Sequence, residues 1–347
     1  MKTTVFSAKP FEQAYLSEAL GPGHPLRFIE ANLSVETAAL ARGSEAVAIF
    51  STDDASAPVL DALHAQGVRF ISIRATGHDQ VDLPHAQTLG LRVANVPEYS
   101  PYAIAEHALA LMLALNRRLI QADRQLRAYD FRLDELIGFD LHGKTVGIIG
   151  LGHIGGIVAG ILSGFGCRLL GYDPLPNPEL TVRHGLTYTT LEQLCAEADI
   201  ITLHAPMTPH APYLIDAPRL AQMKRGVMLI NTSRGAELDT AAALDALDSG
   251  QLGYLGLDVY EHEKALFFRD HSRRPPVDAL FARLLSYPNV LVTGHQAFLT
   301  REALQNIAAT TRQNLDGWAA GEVLDTELTH AAPAQPVQAE LRPVLQA

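Results

Sequence analysis

The chain has 347 residues, too many for one ordinary core and comfortable for two domains. Apolar residues make up 48% and charged residues 19%, the balance of a globular chain, and no apolar run approaches the roughly 18 residues that span a bilayer. The net charge of −11 argues against a general nucleic-acid binder, which needs a concentrated basic face; the pairs Arg117-Arg118 and Arg273-Arg274 read as solvated helix or loop ends.

Met1 to Phe6 predicts a short first strand, without the apolar stretch and small-residue cleavage site of a signal peptide. The two cysteines, Cys167 and Cys195, have no metal-like spacing and read as small buried hydrophobes, so the expectation is a reducing cytoplasm and no metal site. Val47 to Phe50 and Phe70 to Ile73 predict strands, each followed by turn or cap residues. The segment Pro97 to Pro101 breaks the pattern. After it, Tyr102 to Leu119 predicts a helix that is apolar on most faces and therefore buried, placed to link two domains. Thr145 to Ile149, Arg168 to Tyr172, Ile200 to Leu203, Val227 to Asn231, Gly256 to Val259 and Val290 to Thr293 predict six short buried strands. Helical stretches such as Leu191 to Glu197 and Thr240 to Asp248 separate several of them. Alternating strands and helices predict an α/β fold with parallel sheets, and six such strands suit a doubly wound, Rossmann-type dinucleotide domain. A last helix is expected from Arg301 to Trp318, and a loose Ala/Pro/Gln-rich tail beyond His330. There is no internal repeat.

The strongest local motif runs from Val146 to Gly155, where a strand leads into Gly150-Leu151-Gly152-His153-Ile154-Gly155 and then into an apolar helix. Gly150 allows the tight turn, Gly152 lets the backbone approach a pyrophosphate, and Gly155 lets helix and strand pack closely. The helix N-terminus offers N–H groups and a positive dipole end to the phosphates. A second strand ends at Asp173, where an acid holds the adenosine ribose hydroxyls and repels a 2′-phosphate, so NAD is expected over NADP. The bland alternative is a glycine turn used only for packing, with Asp173 a strand-end cap.

Three later segments end strands in polar residues: Asn231 to Gly235, Leu257 to Glu263, and Val292 to Ala297. In open parallel sheets, ligands bind outside these carboxyl ends. Arg234 can grip a carboxylate with two parallel hydrogen bonds, or serve a structural ion pair; position alone leaves both open. His295 paired with a carboxylate such as Glu263 would form a proton donor/acceptor set, but sequence does not show that they touch, and one histidine among fourteen is by itself ordinary.

At these residues the chain resembles the D-isomer-specific 2-hydroxyacid dehydrogenase family, over roughly residues 1–325. The stretches that carry the resemblance are Ile71 to Asp79, Asn95 to Pro101, Ala105 to Ala108, the glycine fingerprint, Leu203 to Thr208, Asn231 to Gly235, Asp258 to Glu263 and Thr293 to Phe298. Asp258 through Phe267-Phe268 resembles the branch that acts on D-lactate.

The resemblance implies catalytic Arg234, Glu263 and His295. It implies substrate contacts at Thr76, Gly77, Tyr99 and Phe298. It implies NAD contacts at Gly150, Gly152, His153, Ile154, Gly155, Asp173, His204, Pro206, Thr232 and Asp258. It further implies a flavodoxin-like, discontinuous substrate domain from residues 1–99 and 299–330, an NAD-binding domain at 100–298, and a flexible tail at 331–347. The implied reaction is reduction of pyruvate to D-lactate in a homodimer or homotetramer, without nucleic-acid or membrane partners. The alternatives are larger 2-oxo acids, such as 2-oxoisocaproate or phenylpyruvate, and an NADH-sensing protein-binding corepressor. Ala75 departs from members that carry asparagine there, which puts a side-chain contact to substrate in doubt and leaves the backbone contacts. The long segment Lys264 to Pro288 is expected either over the active site or at a subunit interface.

Overall fold

The computed structural model describes residues 1–206 and 213–329. The proposed tail at 331–347, and Met207 and Thr208 of the resembling stretches, lie outside them. The chain divides into two compact units, Met1–Tyr99 together with the segment from Thr300 onward, and Ser100–Leu299.

In the first unit, strands β1 (Thr3–Val5), β2 (Leu26–Phe28), β3 (Ala46–Ile49), β4 (Phe70–Ile73) and β5 (Arg92–Ala94) form a parallel sheet in the order β2-β1-β3-β4-β5. This is the flavodoxin-like order. The sheet is covered on both sides. Leu60, Leu63, Ile71 and Ile73 fill one core, and Val5, Leu16, Leu315 and Trp318 the other. The helix Arg301–Ala319 belongs to this unit. Thr300 caps it by accepting the Ala303 N–H at 3.2 Å, and its buried stripe of Leu304, Ile307, Ala308, Leu315 and Trp318 keeps helical spacing.

In the second unit, β6 (Thr145–Ile149), β7 (Arg168–Tyr172), β8 (Thr187–Tyr188), β9 (Ile200–Leu203), β10 (Val227–Asn231), β11 (Leu252–Leu257) and β12 (Val290–Val292) form a parallel sheet. The order is β12-β11-β10-β9-β6-β7-β8, the doubly wound dinucleotide order extended by one strand. Among the described residues there are thus seven strands in this sheet where the sequence pattern predicts six. The added β8 has only two residues at a sheet edge, too short for a hydrophobic period. The strand expected at Gly256–Val259 begins four residues earlier, at Leu252. Strands β6, β9 and β10 are buried at every position, which is why they read as continuous apolar runs rather than alternating ones.

The apolar helix after the proline break spans Pro101–Asn116, with Ser100 as its cap. It packs on β10, β11 and the helix His153–Gly164 of its own unit. It stops short of Leu119 because Arg118 adopts a left-handed conformation (φ 51°), and a second helix, Leu119–Arg127, starts there. Both cysteines are free thiols; Cys195 is buried, and burial pushes its thiol up to about 11. Among the described residues no helix is long and apolar enough to cross a membrane, and no cluster of three or more His, Cys, Asp or Glu is placed to hold a metal ion.

Candidate active site

The β6 turn is built for close approach. Gly150 sits at φ +87°, and a Cβ there would lie 2.5 Å from Ala205 N, on the loop that leaves β9. This is the point where the strand order reverses, the usual place for a dinucleotide. A Cβ on Gly155 would lie 2.0 Å from Gly150 O, so turn and helix pack backbone to backbone. A Cβ on Gly152 would meet nothing within 4 Å. Gly152 is also the N-cap of His153–Gly164, with no side chain capping it, and the first-turn N–H groups of a helix have no partner within the helix. Gly152 and His153 are exposed and Ile154 is half-buried.

Asp173 ends β7 and is both a cap and an available acceptor. Its Oδ2 accepts the Leu151 N–H at 2.7 Å and its Oδ1 accepts the Leu175 N–H at 2.8 Å. Each carboxylate oxygen has two acceptor sites, so one on each remains. His204 follows β9, donating its N–H to Ile149 O at 2.7 Å, while its Nε2 lies 2.9 Å from Thr202 Oγ1. Burial lowers its imidazole to about 3, which keeps it neutral beside the phosphate-binding turn. Pro206, at the end of this described stretch, is exposed. Thr232, just past β10, is buried with its Oγ1 lacking a hydrogen-bond partner. An open cradle at Gly152, a helix N-terminus without a side-chain cap and an orphaned buried hydroxyl are what a dinucleotide would fill, so these residues fit NAD.

His295 and Glu263, 32 residues apart, are bonded: the His295 Nδ1–H donates to Glu263 Oε1 at 2.7 Å. The other carboxylate oxygen accepts the Tyr260 N–H at 2.9 Å, which fixes the acid's orientation. Burial works to lower the His295 pKa, but the bond to Glu263, its charge and that of Asp258 prevail over burial and over Arg234, and the imidazole titrates above its ordinary value. Nδ1 is committed to Glu263, so Nε2 is the ring nitrogen outside that bond. His295 has φ 53°, a left-handed backbone for a non-glycine residue.

Asp258 holds that turn. Its carboxylate accepts the Gln296 and Ala297 N–H groups, each at 2.8 Å, and the Thr293 hydroxyl at 2.6 Å. Since the Thr293 hydrogen goes to Asp258, His107 Nε2–H is the donor in its 3.0 Å bond to Thr293 Oγ1. Burial works to raise the Asp258 pKa; His107, Thr293 and the two N–H groups outweigh it and lower it. Asp258 is therefore an anion 1% exposed, lying beside the histidine turn. The family resemblance implies Asp258 only as an NAD contact; neither this bracing nor the part of His107 is visible in the sequence.

Arg234 follows β10, with its Nη1 donating to Ser233 O at 2.9 Å. Phe298 is buried just past the histidine turn, and the Phe268 ring centroid lies 6.0 Å from that of His295. The long segment that begins at Lys264 thus brings Phe268 near His295, with Leu266 and Phe267 buried.

The remaining expected substrate contacts belong to the first unit. Thr76 is exposed, its hydroxyl donating to Val96 O at 2.9 Å, and Gly77 follows it, half-buried. Tyr99 is half-buried, and its carbonyl accepts Asn306 Nδ2–H at 2.6 Å.

A doubly wound nucleotide unit that carries a histidine–carboxylate pair at its strand ends is the build of a nicotinamide-dependent dehydrogenase. Residues 109–297 match the family model for the NAD binding domain of D-isomer specific 2-hydroxyacid dehydrogenases. The D-lactate dehydrogenase of Escherichia coli strain K12 is 46% identical over 329 residues, 94% of this chain and 100% of that protein. The D-lactate dehydrogenase kk1H of Curvularia clavata is 48% identical over 326 residues, 92% and 93% of the two chains. A solved structure described as the pyruvate reductase of Chlamydomonas reinhardtii superposes with a TM-score of 0.88 at 43% identity, covering 94% of this chain and 98% of that one. The chain belongs to the D-isomer-specific 2-hydroxyacid dehydrogenase family and is an NAD-dependent oxidoreductase of that family.

Proposed function

We propose that the chain reduces pyruvate to D-lactate, with His295 as acid and base, Glu263 as its partner and Arg234 as holder of the substrate carboxylate. The observation that carries this reading is the 2.7 Å bond between His295 Nδ1 and Glu263, which leaves Nε2 to face a carbonyl oxygen. NAD, when bound in reduced form, supplies the hydride that goes to carbon 2 of the 2-oxo acid. His295 gives its Nε2 proton to the carbonyl oxygen as that oxygen gains charge, and in the reverse direction takes it back. Glu263 holds the imidazole in one orientation and stabilises its charged form. Arg234 binds the carboxylate in a planar fork, fixing which face of the carbonyl is presented. Pyruvate, rather than a bulkier acid, is supported by the aromatic rings of Phe268 and Phe298 around the His295 turn and by the names of the relatives above.

We further propose that the chain works as a homo-oligomer. The stretch 119–137 of the second unit exposes Leu126, Tyr129, Phe131, Leu133 and Ile137, each more than half exposed, a density that a lone subunit rarely tolerates. Light scattering on Phe131→Asp should show dissociation; an unchanged mass would remove this face from the assembly.

The deciding experiment is NADH oxidation with pyruvate, 2-oxobutyrate, 2-oxoisocaproate, phenylpyruvate and glyoxylate, compared by kcat/KM, with the product's handedness assigned. Pyruvate leading, with D-lactate formed, supports the proposal. A larger acid leading replaces the substrate but not the chemistry. Binding of NADH with no turnover of any of these would overturn the catalytic reading.

A further inference from the structure

The chemistry above leaves unused a carboxyl group buried beside Arg234. Glu237 closes the short turn Gly235–Glu237 and is 3% exposed. The turn packs backbone to backbone on Tyr260: a Cβ on Gly235 would lie 2.1 Å from the Tyr260 carbonyl carbon. Glu237 Oε2 is in hydrogen-bond contact with Ser233 Oγ, and Ser233 Oγ lies 2.9 Å from Asn231 Oδ1. The orientation of Asn231 is settled by its other contacts. Its Nδ2 donates to Arg234 O at 2.8 Å and its Oδ1 accepts the Ser233 N–H at 3.0 Å.

A serine hydroxyl carries one hydrogen. It can serve Asn231 Oδ1 or Glu237 Oε2, but not both. With Glu237 ionised, one of these buried contacts sets two acceptors against each other, which is costly. With Glu237 protonated, the chain closes. Glu237 donates to Ser233 Oγ, Ser233 to Asn231 Oδ1, and Asn231 Nδ2 to the Arg234 carbonyl. Burial independently pushes the Glu237 carboxyl up to about 7, prevailing over the lowering pull of Ser233 and Arg234.

Among the described residues, the charged group acting on Glu237 is Arg234. Leu214 and Ile215 donate their N–H groups to Glu237 O at 2.9 and 2.8 Å. Among the described residues, two titratable groups near the turn have partners of their own: the Tyr213 hydroxyl donates to Glu261 at 3.1 Å, and Asp239 accepts the Ala242 N–H at 3.0 Å.

We infer that Glu237 is a proton-dependent positioning residue for Arg234. Neutral, it locks the Arg234 backbone through Ser233 and Asn231. Ionised, it breaks that chain and sets an anion beside the guanidinium, in competition with the substrate carboxylate. The inference rests on the reading of Arg234 as the carboxylate holder.

The test is binding of oxamate, a pyruvate isostere that cannot be reduced, to the NADH-loaded enzyme between pH 6 and 8.5, with wild type and Glu237→Gln compared. His295 loses its proton in both proteins, so the difference between them isolates Glu237. Equal affinities at pH 6, and an affinity about threefold to tenfold tighter in the Gln variant at pH 8, are expected from removing one nearby anion. Ser233→Ala should weaken oxamate already at pH 6, because the chain is cut without any charge change. Infrared difference spectra supply a second readout: Glu237→Gln should delete one protonated-carboxyl band at pH 6. Equal affinities of wild type and Gln variant at pH 8, or no such band, would overturn the inference. Unaltered oxamate affinity in Arg234→Lys, with the band still present, would instead overturn the role of Arg234.

Discussion

Asp258 holds His295 in place without touching its ring. The Asp258 carbonyl accepts the His295 N–H at 2.7 Å, and its carboxylate accepts the next two N–H groups. A non-glycine residue at φ 53° costs free energy, and these three bonds hold it there. Asp258→Asn keeps the shape but presents an amide hydrogen where an acceptor is needed, and removes a charge that raises the His295 pKa. Turnover should fall roughly 10- to 100-fold, in line with small misplacements of catalytic groups, and the pH limb assigned to His295 should move to lower pH. A variant with the wild-type pH profile would show that Asp258 neither places nor charges the histidine.

Glu263 makes the larger contribution to the His295 charge. Its raised pKa means that the proton is held more tightly in the folded enzyme than in the unfolded chain, so this pair adds stability below the unfolded value, which is lost as pH rises through the folded one. Reduction of the 2-oxo acid needs the protonated form, and its rate should fall as pH rises through the same raised pKa. In Glu263→Gln that fall should come at lower pH, and at pH 8 turnover should be about tenfold below wild type. His295→Ala should lose roughly 10²- to 10⁴-fold at all pH values. Stopped-flow NADH oxidation across the pH range separates the two; coincident profiles for wild type and Glu263→Gln would uncouple the pair.

The parts of the fold legible in the sequence are those where burial is uniform. The expected limits of the strands at Thr145, Ile200 and Val227 agree with the structure because each is a central, fully buried, mostly apolar run; those of the strand at Arg168 agree as well, carried by its buried Leu169-Leu170 centre between an exposed and a half-buried end. The strands without a sequence signal, Leu26–Phe28, Arg92–Ala94 and Thr187–Tyr188, are all edges of their sheets and two or three residues long, and the first and last are only partly buried. Too short to show a period, they are created by pairing with a neighbour. The same divide runs through the site. Glycine spacing reads directly because it encodes backbone geometry. That Glu263 touches His295, that Asp258 braces the turn and that Glu237 is sealed from water are long-range facts of packing. Glu237 left one trace, an acid four residues past Ser233 in an otherwise apolar turn.

Asp173 links cofactor choice to the shape of the glycine turn. Its carboxylate ties Leu151 N and Leu175 N together and keeps one acceptor site per oxygen for ribose hydroxyls. Asp173→Ala should raise the KM for NADH roughly tenfold through the lost charge-assisted bonds, and narrow the gap to NADPH by removing the repulsion of its 2′-phosphate. Asp173→Asn should recover little of the NADH affinity, because it accepts through one oxygen only. Steady-state kinetics with both cofactors decide the matter: an unchanged NADH/NADPH ratio in both variants would place the discrimination elsewhere.

The proton assigned to Glu237 also has a signature in stability, separate from substrate binding. A carboxyl raised from 4.5 to about 7 by burial binds its proton more tightly folded than unfolded. Below pH 4.5 both states hold the proton and nothing is lost. Between the two values the unfolded chain ionises and the folded one does not, so stability falls as pH rises, and above pH 7 the loss is constant. Glutamine carries no such penalty. Glu237→Gln should therefore match wild type near pH 4.5 and exceed it by about 3 kcal/mol at pH 8, a gain visible as a higher Tm or urea midpoint. Greater stability of the Gln variant only at high pH identifies a titrating group, whereas equal stability at both pH values would mean that Glu237 is ionised in the fold and compensated there.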